Sequence, residues 1–442
     1  MKLNRVHFAA STVALAGFLF GFDTVVISGA NLPIKQMWPT SPVVHGLLVM
    51  SMALWGTVVG ALFGGIPSDR WGRKTTLLLI GGLYTFSAIG SALASELISF
   101  SVFRFIGGLA VGCSSVTCPT YISEVSPASH RGRLVARYQF MIVFGILAAY
   151  ISNYALEGVG GTSDWRLMLG IEAIPAVLYT LLVTQVPKSP RWLLIHQGKK
   201  GEAQQVLKGL NYPNEEEMIE QICSSQYGNK PTSLFQRRYM RPLLLAFFLA
   251  FFNQMSGINF VLYYAPEILQ RAGLAVGESL FGSVFIGIFN LVFTLIGLRL
   301  IDRVGRKQLL IIGSFGYIGS LILVALAFML HWSPTMLLVG IVSFVASHAI
   351  GQGAVIWVIL SEIFPNSVRA KGQAFGSGVH WVMAALITLV TPIFLDRDEG
   401  IFGQEPSPIF FFFAAMMVIQ LIYVWKVVPE TKGKKLEEIY LE

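Results

Sequence analysis

A chain of 442 residues has room for two or three soluble domains, but 54% of it is hydrophobic and only 13% charged, which excludes an ordinary soluble protein. The formal charge of +8 does not mark a nucleic-acid binder, because the basic residues fall in alternate short loops between apolar runs. Three cysteines, Cys113, Cys118 and Cys223, two of them in one apolar run, give neither a disulfide framework nor a metal-ligand spacing and are read as packing residues.

The N-terminus, Met1 to Arg5, runs into an apolar segment that carries an acid and has no small-residue cleavage site, so it reads as a first span rather than a signal peptide. Apolar windows bounded by charges, Pro and Gly predict spans near 8–32, 44–66, 75–95, 99–123, 134–156 and 165–186. Six more follow near 241–269, 279–301, 308–330, 335–361, 371–395 and 408–428. Each is long enough to cross a hydrocarbon layer of about 30 Å as a helix rising about 1.5 Å per residue. The expected fold class is therefore an all-α membrane protein with 12 transmembrane helices. Between its halves, residues 188–240 mix Lys199-Lys200 and Glu215-Glu216-Glu217 with apolar residues at helical spacing, which predicts short amphipathic helices that either join the halves or also help gate one mouth.

Loop charges set the orientation. Lys2, Arg5, Arg70, Arg73, Lys74, Arg131, Arg133, Arg303, Arg306, Lys307, Arg369, Lys371 and the C-terminal lysines fall on one side; Lys35, Arg166, Arg271 and Arg397 fall on the other. The basic side is expected to be the cytoplasm, with both termini there.

Three patterns recur in order. Asp69-Arg70-Trp71-Gly72-Arg73-Lys74 returns as Asp302-Arg303-Val304-Gly305-Arg306-Lys307; Ser123, Glu124, Pro127 and Arg131 return as Ser361, Glu362, Pro365 and Arg369; Pro187-Lys188-Ser189-Pro190-Arg191 is matched by Pro429-Glu430-Thr431-Lys432-Gly433. The chain reads as a parallel repeat: a six-helix bundle at 1–187, a linker at 188–240, a second bundle at 241–428 and a cytoplasmic tail at 429–442, with a solute site between the halves. The repeated charges Asp69, Arg73, Lys74, Glu124, Arg131, Asp302, Arg306, Glu362 and Arg369 are expected to latch the cytoplasmic side through ion pairs, or else to serve topology alone.

Ionisable residues at membrane depth are functional candidates. Asp23 in the first span and Arg104 in the fourth are read either as a proton-coupling pair or as a static ion pair, with Glu172 in the sixth span as a second acid that tunes the pair or bonds a helix end. In the seventh span, Asn253, Gln254 and Asn259 offer amides that both donate and accept, with Tyr263 following and Gly257 and Pro266 permitting local unwinding. Asn290, Trp357, His380 and Trp381 add another amide, indoles and an imidazole, a mixture suited to the hydroxyl rim and C–H faces of a sugar. Interhelical bonding alone is the other reading for the amides, and His380 reads as a ligand, a titrating group or a packing histidine.

These residues resemble the sugar porters of the major facilitator superfamily, and among them bacterial pentose and hexose proton symporters of the xylose–proton symporter kind. The marks are Gly72-Arg73-Lys74, Arg104-Phe105-Ile106-Gly107-Gly108, Tyr121-Ile122-Ser123-Glu124, Gln139, Pro187 to Arg191, the Gln254 to Asn259 run, Asn290, Trp357, Ser361 to Pro365 and Pro429 to Gly433. The resemblance implies a major facilitator fold working by alternating access and sugar contacts from Gln139, Gln254, Asn259, Asn290 and Trp357. It also implies proton coupling at Asp23 with Arg104, since facilitators of this family usually lack that acid. The implied partners are a monosaccharide, a proton and the lipid bilayer, with no nucleic acid, no metal, no cofactor beyond the coupling ion H+, and no enzyme chemistry. A monomer in the bacterial inner membrane is expected.

Four residues depart from the family pattern. Asn253 stands where a first Gln is usual, His380 where an amide is usual, Ala354 in place of a Pro before Trp357, and Lys188 in place of a Glu. They are expected to alter the hydroxyl pattern read, the bending of the tenth span and the inner charge network. The rival readings are a facilitator with a permanently charged Asp23, a transport-dead sugar sensor, and, disfavoured by the amides, an exporter of apolar compounds.

Overall fold

A computed structural model describes residues 4–127, 130–210, 212, 215–224, 233–365 and 368–432; the expected tail beyond Lys432 lies outside them. The regular structure of the described residues is helical. The long helices are α1 (Asn4–Met37), α2 (Met52–Phe63), α3 (Arg73–Leu93), α4 (Leu97–Val125), α5 (Arg131–Leu156), α6 (Ala173–Thr184), α7 (Met240–Met255), α8 (Ile258–Arg271), α9 (Val276–Val304), α10 (Arg306–Met329), α11 (Pro334–His348), α12 (Ala354–Glu362), α13 (Arg369–Leu395) and α14 (Ser407–Lys426).

By length and composition these make 11 candidate membrane spans, or 12 when the pair Pro42–Met50 and Met52–Phe63, bent by 46°, is taken as one. α7 with α8 and α11 with α12 each form one span interrupted by a local irregularity. Outward faces are apolar: on α6, Ile174, Val177, Leu178 and Leu181 form an exposed stripe at helical spacing, while Ala176, Tyr179 and Val183 on the other face are buried. Such a stripe suits lipid rather than water. In the central region lie short helices at Pro190–Ile195, Lys200–Gly209 and Glu215–Ser224, the first capped by the Ser189 hydroxyl.

The chain packs into two compact units that interleave along the sequence. The first holds residues 1–24, 55–146 and 169–231; the second holds 25–54, 147–168 and 232–442. The boundaries at 24/25, 54/55, 146/147 and 168/169 fall within helices, so residues 25–54 and 147–168 pack with the second half of the chain.

In the first unit, small residues let helix backbones touch. A Cβ at Gly21 of α1 would lie 1.9 Å from the Ile142 carbonyl of α5, and one at Gly145 would lie 2.1 Å from the Phe18 carbonyl. Gly17 and Gly21 are one turn apart, the small-xxx-small spacing of close helix pairs.

In the second unit, proline positions are compensated by tyrosines. Pro266 in α8 cannot donate to the Leu262 carbonyl, and the Tyr150 hydroxyl donates to that oxygen at 2.8 Å. Pro392 in α13 likewise releases the Thr388 carbonyl, which accepts from the Tyr264 hydroxyl at 2.9 Å. A membrane interior offers no water to satisfy such groups, so each tyrosine replaces a lost helix bond. Between α7 and α8 the chain breaks at Gly257, whose φ of +85° suits a residue without Cβ; any Cβ there would also press on the Phe413 ring at 2.7 Å.

Candidate functional site

α1 and α4 bring Asp23 and Arg104 together inside the first unit. Each is 2% exposed. Arg104 Nη1 donates to Asp23 Oδ1 at 2.5 Å and Nη2 to the Asp23 main-chain carbonyl at 3.1 Å. Glu172, in the turn before α6, is equally buried, lies within the electrostatic field of Asp23 and Arg104, and leaves its Oε1 without a hydrogen-bond partner among the described residues. The three residues put one buried arginine beside two buried acids.

The second unit gathers the amides, imidazole and indoles. Asn259 Nδ2 donates to Gln254 Oε1 at 3.0 Å, and Gln254 Nε2 donates to Asn253 Oδ1 at 3.1 Å while lying 3.1 Å from His380 Nε2. The His380 ring sits 4.9 Å from Trp357 and 4.9 Å from Trp381. The break at Gly257 lies inside this run, placing Gln254 on the end of α7 and Asn259 on the start of α8. Asn290 on α9 is buried and makes no hydrogen bond to a described residue. Tyr263 is buried on α8, and Gln139 on α5 belongs to the first unit. The missing Pro at Ala354 does not leave the tenth span regular, since residues Ala349–Gly353 form a π-helical turn immediately before it.

The repeated charges form two similar clusters, one in each unit. In the first, Arg73 Nη2 pairs with Glu124 at 3.0 Å and Nη1 with Asp69 at 2.9 Å, while the Ser189 hydroxyl donates to Glu124 at 2.5 Å. In the second, Arg306 pairs with Glu362 at 3.0 Å and Asp302 at 3.2 Å, and the Thr431 hydroxyl donates to Glu362 at 2.5 Å. Lys74 donates to the Thr184 carbonyl and Lys307 to that of Trp425, at 2.7 and 2.9 Å.

Arg131 and Arg369 depart from the expected latch. Arg131 is exposed, and Arg369 donates to the Phe364 carbonyl instead of to Glu362. The arginine that begins the next helix after the glycine turn, Arg73 or Arg306, takes the acid first. The clusters also differ where Lys188 replaces the family's acid. Glu430 accepts from the Arg306 and Lys307 amides at 3.0 Å each, capping α10, whereas Lys188 pairs with Glu202 at 2.7 Å. That bond holds the exposed Glu202 carboxyl below its usual range.

Sequence reasoning missed a buried polar chain in the second unit. Asn31 Nδ2 donates to Glu267 Oε2 at 2.7 Å, His45 Nε2 lies 2.6 Å from Asn31 Oδ1, and Arg271 pairs with Glu267 at 3.6 Å. Lys35, four residues after Asn31, pairs with Asp396. The available signal was Glu267 itself, an acid inside an apolar span with an arginine four residues on.

Comparison with known proteins agrees with this geometry. The family described as "Sugar (and other) transporter" matches residues 9–441. The D-xylose-proton symporter of Escherichia coli (strain K12) is 33% identical over 98% of this chain and 94% of its own. The arabinose-proton symporter of Bacillus subtilis (strain 168) is 35% identical over 99% and 95%. Among solved structures, the partially occluded inward-open conformation of the xylose transporter XylE from E. coli superposes with a TM-score of 0.86 at 31% identity, covering 98% of this chain and 99% of that one. The same major facilitator superfamily protein, described as a proton:xylose symporter and bound to 6-bromo-6-deoxy-D-glucose, gives 0.82 at 32%, covering 100% and 99%. With its all-α major facilitator fold, this chain belongs to the sugar transporter family.

Proposed function

We propose that the protein carries a pentose or hexose together with a proton across the bacterial inner membrane by alternating access, as a monomer with both termini cytoplasmic. The observation that carries the coupling is the buried Asp23–Arg104 ion pair with a second buried acid, Glu172, in its field, because a static ion pair has no use for that second acid. Asp23 takes the proton, Arg104 responds to its change of charge, and Glu172 supplies the alternative resting place. The sugar is held by Gln139, Asn253, Gln254, Asn259, Tyr263, Asn290, Trp357, His380 and Trp381, with H+ as coupling ion and no other cofactor. The paired clusters around Arg73 and Arg306 act as the cytoplasmic gate.

Uptake of labelled D-xylose, L-arabinose and D-glucose into proteoliposomes, with and without an imposed pH gradient, tests this. Accumulation above equilibrium is expected only with the gradient. Asp23→Asn is expected to abolish accumulation and leave exchange of preloaded sugar intact. Gradient-driven accumulation by Asp23→Asn would overturn the coupling. Equal uptake with and without the gradient in the native protein would leave a facilitator.

A further inference from the structure

The polar chain around Glu267 has no part in the transport reading, yet it ties the first two spans to the second half of the chain on the side away from the basic loops. Asn31 and His45 are 3% and 2% exposed, and Glu267 is 9% exposed. Arg271, the partner of Glu267, also donates to the Leu395 and Gly403 carbonyls at 2.5 Å each, and Lys35 is held by Asp396 after α13. Gly46, next to His45, lies so close to α13 that a Cβ there would stand 2.1 Å from the Leu389 carbonyl.

The proton positions follow from the bonds themselves. Asn31 Nδ2 donates to Glu267 Oε2 at 2.7 Å, so Asn31 turns its Oδ1 to His45, and at 2.6 Å that oxygen receives the Nε2–H of the ring. A neutral imidazole carries one ring proton, which leaves Nδ1 bare. Nδ1 is buried and has no hydrogen-bond partner among the described residues. The charged groups on the elements around the ring are Lys35 of α1, Glu267 and Arg271 of α8, and Asp396 at the end of α13, and they pair with one another. Arg397, Asp398 and Glu399 stand exposed in the following loop, and Tyr264 of α8 gives its hydroxyl proton to the Thr388 carbonyl. While these bonds are closed, a second ring proton would be an N–H buried without an acceptor among the described residues.

We propose that Asn31, His45 and Glu267 form a proton-operated latch at the outer mouth, shut while His45 is neutral and opened when the ring takes a second proton from outside water. The proposed function supplies only which side faces out. The sign follows from where a charged ring is solvated. In an open mouth the ring meets water and titrates in the ordinary imidazole range, near about 6.5. Protonation therefore draws the equilibrium toward the open mouth as pH falls below that range. The open-to-shut ratio changes by at most about tenfold per pH unit, the limit for one proton. The π-helical turn Gly46–Met50 and the 46° bend after it give the second span a joint directly beside the latch. Acid outside, the condition that loads Asp23, then also unbars the way in.

The test is a distance measurement in lipid nanodiscs between spin labels at Val43→Cys and Ile401→Cys, both exposed positions of the second unit. The protein also carries Cys113→Ala, Cys118→Ala and Cys223→Ala, with Asp23→Asn so that the coupling acid stays neutral throughout. Double electron–electron resonance from about pH 8 to about pH 5 should show a second, longer distance that grows below about pH 6.5 with the slope of one proton. His45→Gln, which keeps a donor for Asn31 and takes no proton, should hold the short distance at every pH. Asn31→Ala, which cuts both bonds, should show the longer distance already at about pH 8. A pH response that survives His45→Gln, no response in the protein with His45, or a short distance in Asn31→Ala would each overturn the inference. No readout here needs sugar or a gradient, so failure of the latch and failure of symport in proteoliposomes are separate results.

Discussion

Arg104 holds Asp23 at two points, the carboxylate through one guanidinium nitrogen and the main-chain carbonyl through the other. When the carboxyl is neutralised the second contact persists, so the arginine is kept in place to receive the anion again. A lysine has no fork with which to make both contacts. Arg104→Lys is therefore expected to lower gradient-driven sugar accumulation by about tenfold or more, with exchange of preloaded sugar less affected. Parallel measurements of accumulation and exchange in proteoliposomes check it.

Two ion pairs of the first unit differ in burial and so in weight. Arg73 and Glu124 side chains are 9% and 7% exposed. Removing one partner leaves a charge in a poor solvent, and Arg73→Ala should cost about 3 to 5 kcal/mol by the usual size of a broken buried pair. Lys188→Ala, at an exposed pair, should leave the unfolding midpoint unchanged. Thermal unfolding of both variants in detergent makes the comparison.

Tyr264 and Tyr150 offer a test of the proline compensation. Tyr264→Phe keeps the ring and leaves the Thr388 carbonyl without a donor, which should cost about 1 to 3 kcal/mol. The double variant Tyr264→Phe with Pro392→Ala restores a helical N–H to that carbonyl and should recover most of the loss. A midpoint that stays low in the double variant would show that the hydroxyl acts elsewhere.

Close helix contact makes a sharper distinction between glycines. Gly21→Ala places a methyl 1.9 Å from the Ile142 carbonyl, whereas Gly82→Ala meets nothing within 4 Å. The first should sharply reduce folded protein recovered after solubilisation; the second should match the native yield. Size-exclusion profiles of the two report the difference.

Gln254 touches Asn253, Asn259 and His380 at once, so its truncation disturbs the whole cluster. Gln254→Ala is expected to raise the KM for sugar by about tenfold or more, and Trp357→Ala by a similar factor through loss of the flat apolar face. Initial rates over a range of sugar concentrations give both values.

The spans, the repeat and the break at Gly257 were legible in the sequence because hydropathy, fixed spacing and the Gly and Pro vocabulary are local signals. The buried Asp23 announced itself for the same reason. Partner choice was not local. Nothing near Glu124 in the chain says that Arg73, 51 residues earlier, will claim it in place of Arg131. Glu267 hid within an otherwise apolar span, and its partner Asn31 stands 236 positions away. The interleaving of the two compact units was equally out of reach, since the boundaries at 24/25, 54/55 and 146/147 fall inside continuous helices.

The cap that Glu430 places on α10 has no counterpart at Lys188, because an ammonium group offers no lone pair to helix amides. One repeat thus caps its helix start with a carboxylate, whereas in the other the Trp192 indole donates to the Asp69 carbonyl, in the short helix Gly65–Trp71 before α3, at 2.7 Å. Ionic strength weakens the first kind of anchor and hardly touches the second. Two ends descended from one ancestral pattern would then loosen in sequence rather than together as salt rises, giving the molecule a built-in order of events.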